Sequence, residues 1–326
     1  MPAEVSLRGA TVLVTGGHGF MGRAVVRELD RVGAAAVCPR RPGSPHPRDL
    51  PGSHPAVDLL DTPALTAALR DVDLVVHLAA RSGGIQFQES EEVDVFGANH
   101  AVTRSVLDAS RAAGVRRVFL ASSGVVYSGA AGELIGEHDQ LASPNRDRVS
   151  GYAWSKLTDE LLGCWFAAAG AFEVVAGRFA NVYGPGGSFD PARSTVVHAL
   201  VRKAVEAAPG GRMRVWGDGT AVRSFLHVED AGRAVVTVLA RGVSTHAYNL
   251  DGSQPVTIAE LATAIRDEVD PAIALEFDRD RPQGPARRVL DSAELRALGW
   301  APTVSLADGI RSTVAAYRAT VASKED

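Results

Sequence analysis

Two hydrophobic patterns alternate along the first half of the chain. Short runs of apolar and β-branched residues, such as Thr11-Val-Leu-Val-Thr15, predict strands that are buried on both faces. Longer stretches with apolar residues every three or four positions predict the helices between them. The predicted strands lie at 11–15, 34–38, 73–80, 117–121 and 172–178, and the predicted helices at 23–31, 93–113 and 151–169. This alternation indicates βαβ units and therefore a parallel sheet.

The strict alternation ends near residue 185. Beyond it the pattern predicts a helix at 194–207, a strand at 213–216, a helix at 229–241, and helices after Pro255 and Ser305. We predict an α/β fold in which residues 1–180 form a doubly wound, Rossmann-type domain with a parallel sheet. Residues 181–326 are predicted to form a smaller α/β substrate lobe, apart from a segment near 220–250 that returns to the first domain.

The first predicted strand runs directly into a glycine-rich segment, Gly16-Gly17-His18-Gly19-Phe20-Met21-Gly22. Gly17-x-Gly19-x-x-Gly22 has the spacing of the dinucleotide fingerprint, in which glycines let the backbone approach a pyrophosphate at a helix N-terminus. A glycine-rich turn without a ligand is the alternative interpretation. The position between the first strand and a helix favours dinucleotide binding.

The second predicted strand ends at Cys38-Pro39-Arg40-Arg41, where an NAD-binding chain usually has an acidic residue. A carboxylate there would hold the ribose 2′-hydroxyl of NAD and repel a 2′-phosphate, whereas arginines pair with phosphate. The sequence therefore favours NADP(H), with NAD(H) as the alternative if Arg40 and Arg41 are only solvated. Asp58 is a candidate contact to the adenine, or equally a capping or surface residue.

Composition narrows the classes of function. The formal net charge of −4 over 326 residues provides no basic surface for nucleic acid or for an anionic membrane. Cys38 and Cys164 are the only cysteines, which argues against a disulfide framework and a cysteine-based zinc site. The sequence contains no leader pattern and no apolar run of membrane-spanning length. We therefore expect a cytoplasmic protein without a metal, membrane or nucleic-acid partner.

Tyr152 and Lys156 are four residues apart in the predicted helix at 151–169. This spacing puts the phenol and the ammonium on one helix face. Because the positive charge of Lys156 favours the phenolate, the pair is suited to proton transfer. Ser122 and Ser123, which follow the strand at 117–121, provide a hydroxyl that can share the proton. Such a trio moves a proton to or from a sugar oxygen while a dinucleotide carries the hydride.

The glycine loop, Ser123 and Tyr152-x-x-x-Lys156, in this order, resemble the extended short-chain dehydrogenase/reductases, a family of NAD(P)-dependent nucleotide-sugar epimerases, dehydratases and reductases. The resemblance runs over nearly the whole chain. It includes His77-Leu-Ala-Ala80, Asn99, Asn181-x-Tyr183-Gly184-Pro185, and Arg223-x-Phe225-x-His227-Val228-x-Asp230. Within the family the pattern resembles the GDP-L-fucose synthases most, through Val215-Trp-Gly-Asp-Gly-Thr220 and the segment 281–300.

The resemblance implies roles for individual residues. The implied catalytic residues are Ser123, Tyr152 and Lys156, with Ser123 preferred over Ser122 because it lies four places before Tyr127. The implied cofactor contacts are Gly16, Gly19, Phe20, Met21, Gly22, Arg40, Arg41, Asp58, Leu59, Leu78, Ala79, Ala80, Asn99, Tyr152 and Lys156. The implied substrate contacts are Ser123, Asn181, Arg202, Trp216, Arg223 and Arg287. For Arg202 a solvated helix face, and for Trp216 core packing, stay open as alternatives.

Two positions depart from the pattern of the GDP-L-fucose synthases. Those enzymes use a Cys and a His to epimerise two carbons before reduction, and the aligned positions hold Val125 and Thr195. Valine carries no proton, and threonine is a poor acid or base at neutral pH. The Asp-Glu pair of the 4,6-dehydratases is replaced by Gly124-Val125, and the Glu of the family's decarboxylases by Val125. His198 is a candidate for the same space, with an ordinary helix histidine as the simpler interpretation.

The remaining groups suit chemistry at a single carbon. We expect a reductase that transfers hydride from NADPH to C4 of a 4-keto, 6-deoxy nucleotide sugar while Tyr152 gives a proton to the oxygen. The alternative is a 4-epimerase with tightly bound NAD(P), and a lesser alternative is a non-catalytic dinucleotide-binding sensor or scaffold. The expected partners are a GDP-, dTDP- or UDP-linked sugar and a second copy of the chain in a homodimer.

Overall fold

A computed structural model describes residues 4–45, 49–83, 91–127, 134–139, 141, 150–252, 254–281 and 284–325. The strands within these residues are β1 (Thr11–Thr15), β2 (Ala35–Val37), β3 (Leu74–His77), β4 (Arg117–Ser123), β5 (Glu173–Phe179), β6 (Asn181–Tyr183), β7 (Arg212–Trp216), β8 (Val222–Arg223), β9 (Phe225–His227), β10 (His246–Leu250), β11 (Val256–Thr257), β12 (Ala274–Asp278) and β13 (Arg287–Arg288). The helices are α1 (Phe20–Arg31), α2 (Thr62–Ala68), α3 (Glu92–Ala113), α4 (Gly151–Ala168), α5 (Val196–Ala207), α6 (Val228–Arg241), α7 (Ile258–Val269), α8 (Ala293–Ala297) and α9 (Leu306–Glu325).

The central sheet has six strands in the order β10-β5-β4-β3-β1-β2, and all its neighbouring pairs are parallel. The predicted fold class, a doubly wound parallel sheet with flanking helices, is therefore confirmed. The strand order reverses direction at β1, since β2 lies on one side of it and β3 on the other. Ligands of open α/β sheets bind at such a reversal, outside the carboxyl ends of the strands.

Helices cover both faces of this sheet because its strands are apolar on both faces. One layer of buried side chains joins β1 and β3 to α1 and α6 and includes Val25, Leu29, Val235 and Leu239. The opposite layer joins the sheet to α2, α3 and α4 and includes Leu65, Leu107 and Phe166. The catalytic candidates of β4 and α4 are thus attached to a rigid, two-sided core.

Shorter sheets occur in the second half of the chain. They contain β11-β8-β13, β12-β7 and β6-β9. A separate buried cluster joins α5, α7 and α9 through residues such as Leu200, Leu261 and Val314. The strand β10 and the helix α6 nevertheless belong to the central sheet and its helical layer. The division into domains at residue 180 stays a prediction.

The structure adds elements that the hydrophobic pattern did not predict. The strands β10 and β12 are absent from the prediction, because neither His246–Leu250 nor Ala274–Asp278 is a continuous apolar run. The helix α1 begins at Phe20, three residues before the predicted start. Among the described helices, none combines the length and apolar character that a membrane crossing requires.

Candidate active site

The glycine-rich segment lies at the point where the strand order reverses. Gly16 follows β1, and its Cα lies so close to Ala79, after β3, that a Cβ on Gly16 would be 3.0 Å from the Ala79 nitrogen. The two strand ends that carry predicted cofactor contacts therefore meet at one edge of the sheet. The crevice predicted by the topology is the one that these residues line.

The N-terminus of α1 fits the pyrophosphate of a dinucleotide. Gly19 is the N-cap residue, no side chain accepts the first N–H groups of α1 as a cap, and the first turn contains no acidic residue. These N–H groups and the positive end of the helix dipole suit an anion. A Cβ on Gly22 would lie 2.1 Å from the Gly16 oxygen, so only glycine permits this close turn. Phe20 and Met21 lie in the same turn, half-buried.

The two arginines after β2 have different environments. Arg40 is half-buried and donates Nη1 to the Ser44 oxygen (2.8 Å) and Nε to the His54 oxygen (3.2 Å). The Arg41 side chain is exposed. Arg40 therefore shapes the loop after β2, and the exposed Arg41 is the more accessible of the two cations. The Asp58 carboxylate accepts the backbone N–H of Leu60 (3.0 Å) and so stabilises its own turn.

Other predicted cofactor contacts surround the same crevice. Leu78 is buried, and Ala79 and Ala80 follow it at the end of β3. Asn99 is buried on α3, where its amide bonds Arg81 at both N (2.7 Å) and O (3.1 Å) and donates to Ser155 Oγ (3.2 Å). Asn99 therefore fixes the segment after β3 against α4. Leu59 is half-buried beside the helical layer of α2.

Ser123 and Tyr152 are brought together by the ends of β4 and α4. The Ser123 side chain is close enough to the Tyr152 phenol to lower its pKa, and Ser150 caps α4 by accepting the Ala153 N–H (3.3 Å). Burial raises the pKa of Tyr152 to about 12; Asp159 also raises it, and the Ser123 hydroxyl opposes this shift. The phenol is consequently protonated at neutral pH and can act as a proton donor.

Lys156 lies one turn beyond Tyr152 on the same face of α4. Its Nζ is 5.9 Å from the centre of the Tyr152 ring and 3.7 Å from Asp159 Oδ2. Burial lowers the pKa of Lys156, and Asp159 and Glu160 oppose this shift. Asp159 was not among the predicted site residues, although its i+3 spacing from Lys156 can be recognised in the sequence.

A buried network anchors the strand end that carries Ser123. Arg178 on β5 binds Glu160 on α4 through Nε (3.0 Å to Oε1) and Nη2 (2.7 Å to Oε2), and it donates Nη1 to the Tyr127 hydroxyl (2.9 Å). Ser122 also hydrogen-bonds Glu160. Ser122 is therefore occupied on the side away from Tyr152, which supports the preference for Ser123.

A cleft opens beside Ser123. It is lined by Ser123, Gly124, Val125, Phe179, Ala180, Asn181, Arg288 and Leu290. Asn181 turns its Nδ2 to the Ser224 oxygen (3.0 Å), which ties β6 to the β8–β9 segment. The cleft thus extends from Ser123 toward the short sheets of the second half of the chain.

Two arginines meet beside this cleft. Arg223 on β8 and Arg288 on β13 are direct neighbours in the parallel pair, whereas Arg287 is opposite Val222. Arg223 donates to the Pro285 and Val222 oxygens (2.7 Å each). Burial, together with the charge of Arg288, lowers the pKa of Arg223 to about 10. The adjacent guanidinium groups suit a diphosphate. Arg288, which the sequence analysis did not select, lines the cleft.

The remaining predicted substrate contacts lie farther along the second half of the chain. Trp216 at the end of β7 is half-buried, between Lys203 Nζ (5.3 Å from the ring centre) and the Arg281 guanidinium (5.4 Å). Arg202 on α5 pairs with Glu206 (2.8 Å). Lys203 and Arg281, rather than Arg202, therefore surround Trp216. These cation–π pairs could not be predicted from the sequence, because Lys203, Trp216 and Arg281 are separated in the chain.

Val125 and Thr195 put no acid or base at the positions where the GDP-L-fucose synthases have a Cys and a His. Val125 lines the cleft, and Thr195 is exposed at the N-cap of α5. His198 is buried, with Nδ1 3.0 Å from Thr195 Oγ1 and Nε2 2.9 Å from the Gly184 oxygen. Since the carbonyl accepts, Nε2 is the protonated nitrogen and Nδ1 accepts from Thr195. Both ring nitrogens are occupied, so His198 serves the structure here.

No cluster of three or more His, Cys, Asp or Glu residues with the arrangement of a metal site occurs in the described part of the chain. The groups that converge at the crevice are instead one hydroxyl, one phenol, one ammonium and several guanidinium groups. They can hold a dinucleotide and an anionic substrate, and they can transfer one proton.

Proteins with similar sequences are named as enzymes that act on nucleotide sugars. The chain is 32% identical over 323 residues to a putative GDP-L-fucose synthase 2 of Oryza sativa subsp. japonica, covering 97% of this chain and 90% of that protein. It is 31% identical over 319 residues to a dTDP-4-dehydro-6-deoxy-D-allose reductase of a Streptomyces species, covering 95% and 97% of the two chains.

A solved structure of the same fold contains a bound dinucleotide. The UDP-glucose 4-epimerase of Thermus thermophilus in complex with NAD superposes with a TM-score of 0.77 at 26% identity, covering 94% of this chain and 99% of that chain. Residues 12–251 match the NAD dependent epimerase/dehydratase family. The predicted family is confirmed: this chain belongs to the NAD dependent epimerase/dehydratase family, the extended short-chain dehydrogenase/reductases.

Proposed function

We propose that this chain is an NADP(H)-dependent reductase that acts at C4 of a 4-keto, 6-deoxy nucleotide sugar. The observation that carries the proposal is the proximity of Ser123 to the Tyr152 phenol, beside a buried Lys156 and next to an inert Val125. The Streptomyces relative is named as a reductase of a dTDP-linked 4-dehydro-6-deoxy sugar, which supports the same chemistry.

Ser123, Tyr152 and Lys156 would transfer the proton to the ketone oxygen. Tyr152, held protonated by its burial, would donate to the ketone oxygen as negative charge develops there. The Ser123 hydroxyl would hydrogen-bond the same oxygen, and the Lys156 charge would stabilise the phenolate that remains. A bound reduced dinucleotide supplies the hydride for the carbonyl carbon. Solvent then restores the Tyr152 proton.

Residues of the crevice would hold the dinucleotide. The uncapped first turn of α1 would bind the pyrophosphate, and Lys156 would contact the nicotinamide ribose, as the family resemblance implies. The exposed Arg41, with no acidic residue at the end of β2, supports NADP(H) over NAD(H). Arg223 and Arg288 would hold the diphosphate of a GDP-, dTDP- or UDP-linked sugar.

A 4-epimerase is the second candidate, because the Thermus thermophilus enzyme that shares this fold has that activity in its name. Such an enzyme oxidises C4, turns the keto sugar over and returns the hydride. The same Ser123, Tyr152 and Lys156 would serve both directions of proton transfer. The exposed Arg41 and the high pKa of Tyr152 favour the reductase, since oxidation needs the phenolate.

A homodimer is proposed from the outer face of α4. Leu161 and Trp165 lie one turn apart on this helix and are 47% and 65% exposed. Such a pair is costly to leave in water, and a second copy of the same helix would cover it. The cytoplasmic location expected from the sequence stays a prediction.

Incubation of the purified protein with NADPH and a panel of GDP-, dTDP- and UDP-linked 4-keto sugars tests the function. We expect oxidation of NADPH with one sugar and, in heavy water, a product without carbon-bound deuterium at C3 or C5, since Val125 and Thr195 exchange no proton. Deuterium at either carbon would contradict single-carbon chemistry. Conversion of a non-keto nucleotide sugar to its C4 epimer without added coenzyme would establish the epimerase instead.

A further inference from the structure

We propose that Asp159 is a positioning residue for Lys156: its buried carboxylate keeps the Lys156 amine protonated beside Tyr152. The consequence for turnover rests on the proposed function, but the effect on Lys156 itself does not. Asp159 is outside the Ser123, Tyr152 and Lys156 trio and is not among the residues that line the cleft.

The geometry of the pair carries the inference. Asp159 Oδ2 is 3.7 Å from Lys156 Nζ, at i+3 on α4, and the side chains are 3% and 4% exposed. An amine removed from water to this extent loses its proton easily unless an anion compensates. Asp159 is the acidic residue that pairs with Lys156 among the described side chains.

The neighbouring charged groups do not replace Asp159. Glu160, the next acidic residue on α4, is committed to Arg178 in the buried network. On β3, His77 is neutral, because burial and the charge of Lys156 lower its pKa to about 3. On α3, His100 faces the Asp159 carboxylate and favours its ionised form. The charge balance of Lys156 therefore depends mainly on Asp159.

A directed chain of hydrogen bonds ends at Thr103, near the Asp159 carboxylate. Thr15 Oγ1 accepts the backbone N–H groups of Leu78 and Ala79 (3.2 Å each), so its proton points to His77 Nδ1 (2.7 Å). His77 then donates Nε2–H to Thr103 Oγ1 (3.0 Å). The Thr103 side chain is close enough to Asp159 to lower the pKa of the carboxyl group.

No donor among the described residues reaches full hydrogen-bond geometry with either Asp159 oxygen. Burial accordingly raises the pKa of Asp159 to about 6, and Lys156 is the largest influence that opposes this shift. The two groups therefore hold each other in their charged forms near neutral pH. Asp159 also raises the pKa of Tyr152, so that the phenol keeps its proton until the substrate oxygen takes it.

The chemical consequence concerns the phenolate. In the reduction, the hydride and its electron pair go from the reduced dinucleotide to the carbonyl carbon, and the phenol proton goes to the carbonyl oxygen. The resulting Tyr152 phenolate needs a nearby cation until solvent returns its proton. Without Asp159 the Lys156 amine would be neutral over part of the working pH range, and the phenolate would lack that cation.

The scarcity of lysine makes the inference directly measurable. The chain has three lysines, Lys156, Lys203 and Lys324, against 31 arginines. In the Lys203→Arg, Lys324→Arg double variant, ¹³C-labelled lysine would give one ε-carbon NMR signal, that of Lys156. Its pH titration in the full chain reports the protonation of Lys156 without substrate, coenzyme or turnover.

We expect Asp159→Asn, in that background, to lower the proton affinity of Lys156 by about 10- to 1000-fold, the usual range for loss of an adjacent opposite charge. Asp108→Asn is the matched control, because Asp108 pairs with Arg104 on the outer face of α3. It should leave the Lys156 titration unchanged. An unchanged titration in Asp159→Asn would overturn the proposal.

If Asp159→Asn does not fold, the titration of the native Asp159 side chain still tests the pairing. Ionisation of Asp159 near pH 6 should move the Lys156 ε-carbon signal, and the absence of that step would contradict the pairing. Failure of the reductase assay would leave this titration intact. Conversely, a working reductase with a Lys156 that ignores Asp159 would refute this proposal alone.

Discussion

Gly151 lies with its backbone directly against that of Glu92: a Cβ on Gly151 would be 2.1 Å from the Glu92 carbonyl oxygen. This contact joins the first residue of α4 to the first residue of α3. Because Tyr152 follows Gly151 immediately, the contact fixes where the catalytic helix begins. The position of the Tyr152 phenol relative to Ser123 therefore depends on the preceding residue, Gly151, having no side chain.

Gly151→Ala should reduce turnover by about 100-fold, because a displacement of about 1 Å at the proton donor has that effect. Gly97→Ala on α3 is the matched control, since a Cβ there meets nothing within 4 Å. It should stabilise the helix by about 1 kcal/mol and leave turnover unchanged. Steady-state oxidation of NADPH and thermal unfolding measure both variants. Wild-type turnover in Gly151→Ala would contradict the role of the contact.

Tyr152→Phe should lower kcat by about 10²- to 10⁴-fold, since it removes the proton donor. The affinity for NADPH, measured by fluorescence titration, should hardly change. Tyr127→Phe is the control for loss of a buried phenol: it removes the hydrogen bonds to Asn249 Oδ1 (2.6 Å) and from Arg178 Nη1 (2.9 Å), and it should cost about 1 to 3 kcal/mol of stability. A Tyr152→Phe variant that turns over normally would remove Tyr152 from the mechanism.

Arg41→Glu should weaken NADPH binding by about 10- to 100-fold, the equivalent of one charge-assisted phosphate contact, with little effect on NADH. Arg27→Glu, on an exposed position of α1, makes the same charge change away from β2 and serves as control. Arg40→Glu is less informative, because it also breaks the bonds to Ser44 and His54. Equal weakening of both coenzymes in Arg41→Glu would rule out the 2′-phosphate contact.

Trp165→Glu should convert the proposed homodimer into a monomer, because it puts a charge into the apolar face of α4. Val243, 46% exposed after α6, provides the control Val243→Glu. Light scattering coupled to gel filtration distinguishes the two states. If the wild-type chain is already monomeric at micromolar concentration, or if both variants dissociate alike, the α4 face is not the interface.

The alternation of apolar runs and amphipathic stretches was sufficient to predict five of the six strands of the central sheet, β1 to β5, but not β10. The bounds of β1 were predicted to the residue, and α3 and α4 to within one residue, because each is long or continuously apolar. The relation of Tyr152 to Lys156 follows from helical spacing alone. The strand pattern put Ser122 and Ser123 at the carboxyl end of β4, and the choice of Ser123 came from the family resemblance.

The rest depended on pairings that leave no periodic signal. Arg288 reaches the cleft because two-residue strands, β8 and β13, pair across more than sixty positions of sequence. Lys203 and Arg281 surround Trp216 for a similar reason, through α5 and the end of β12. Asp159 is a different case, because its spacing from Lys156 can be seen in the sequence. The burial of the two side chains, which makes the pair important, cannot.

The strand β10 and the helix α6 have a consequence for how this chain can be cut and recombined. Both complete the dinucleotide-binding sheet and its helical layer from sequence positions beyond 227. A gene fragment that stops near residue 180 would leave the edge of β5 open and the apolar side of α1 bare. Recombination of whole modules would therefore disrupt the fold of this protein. New sugar specificity is better sought by point substitutions in the segments between residues 180 and 227.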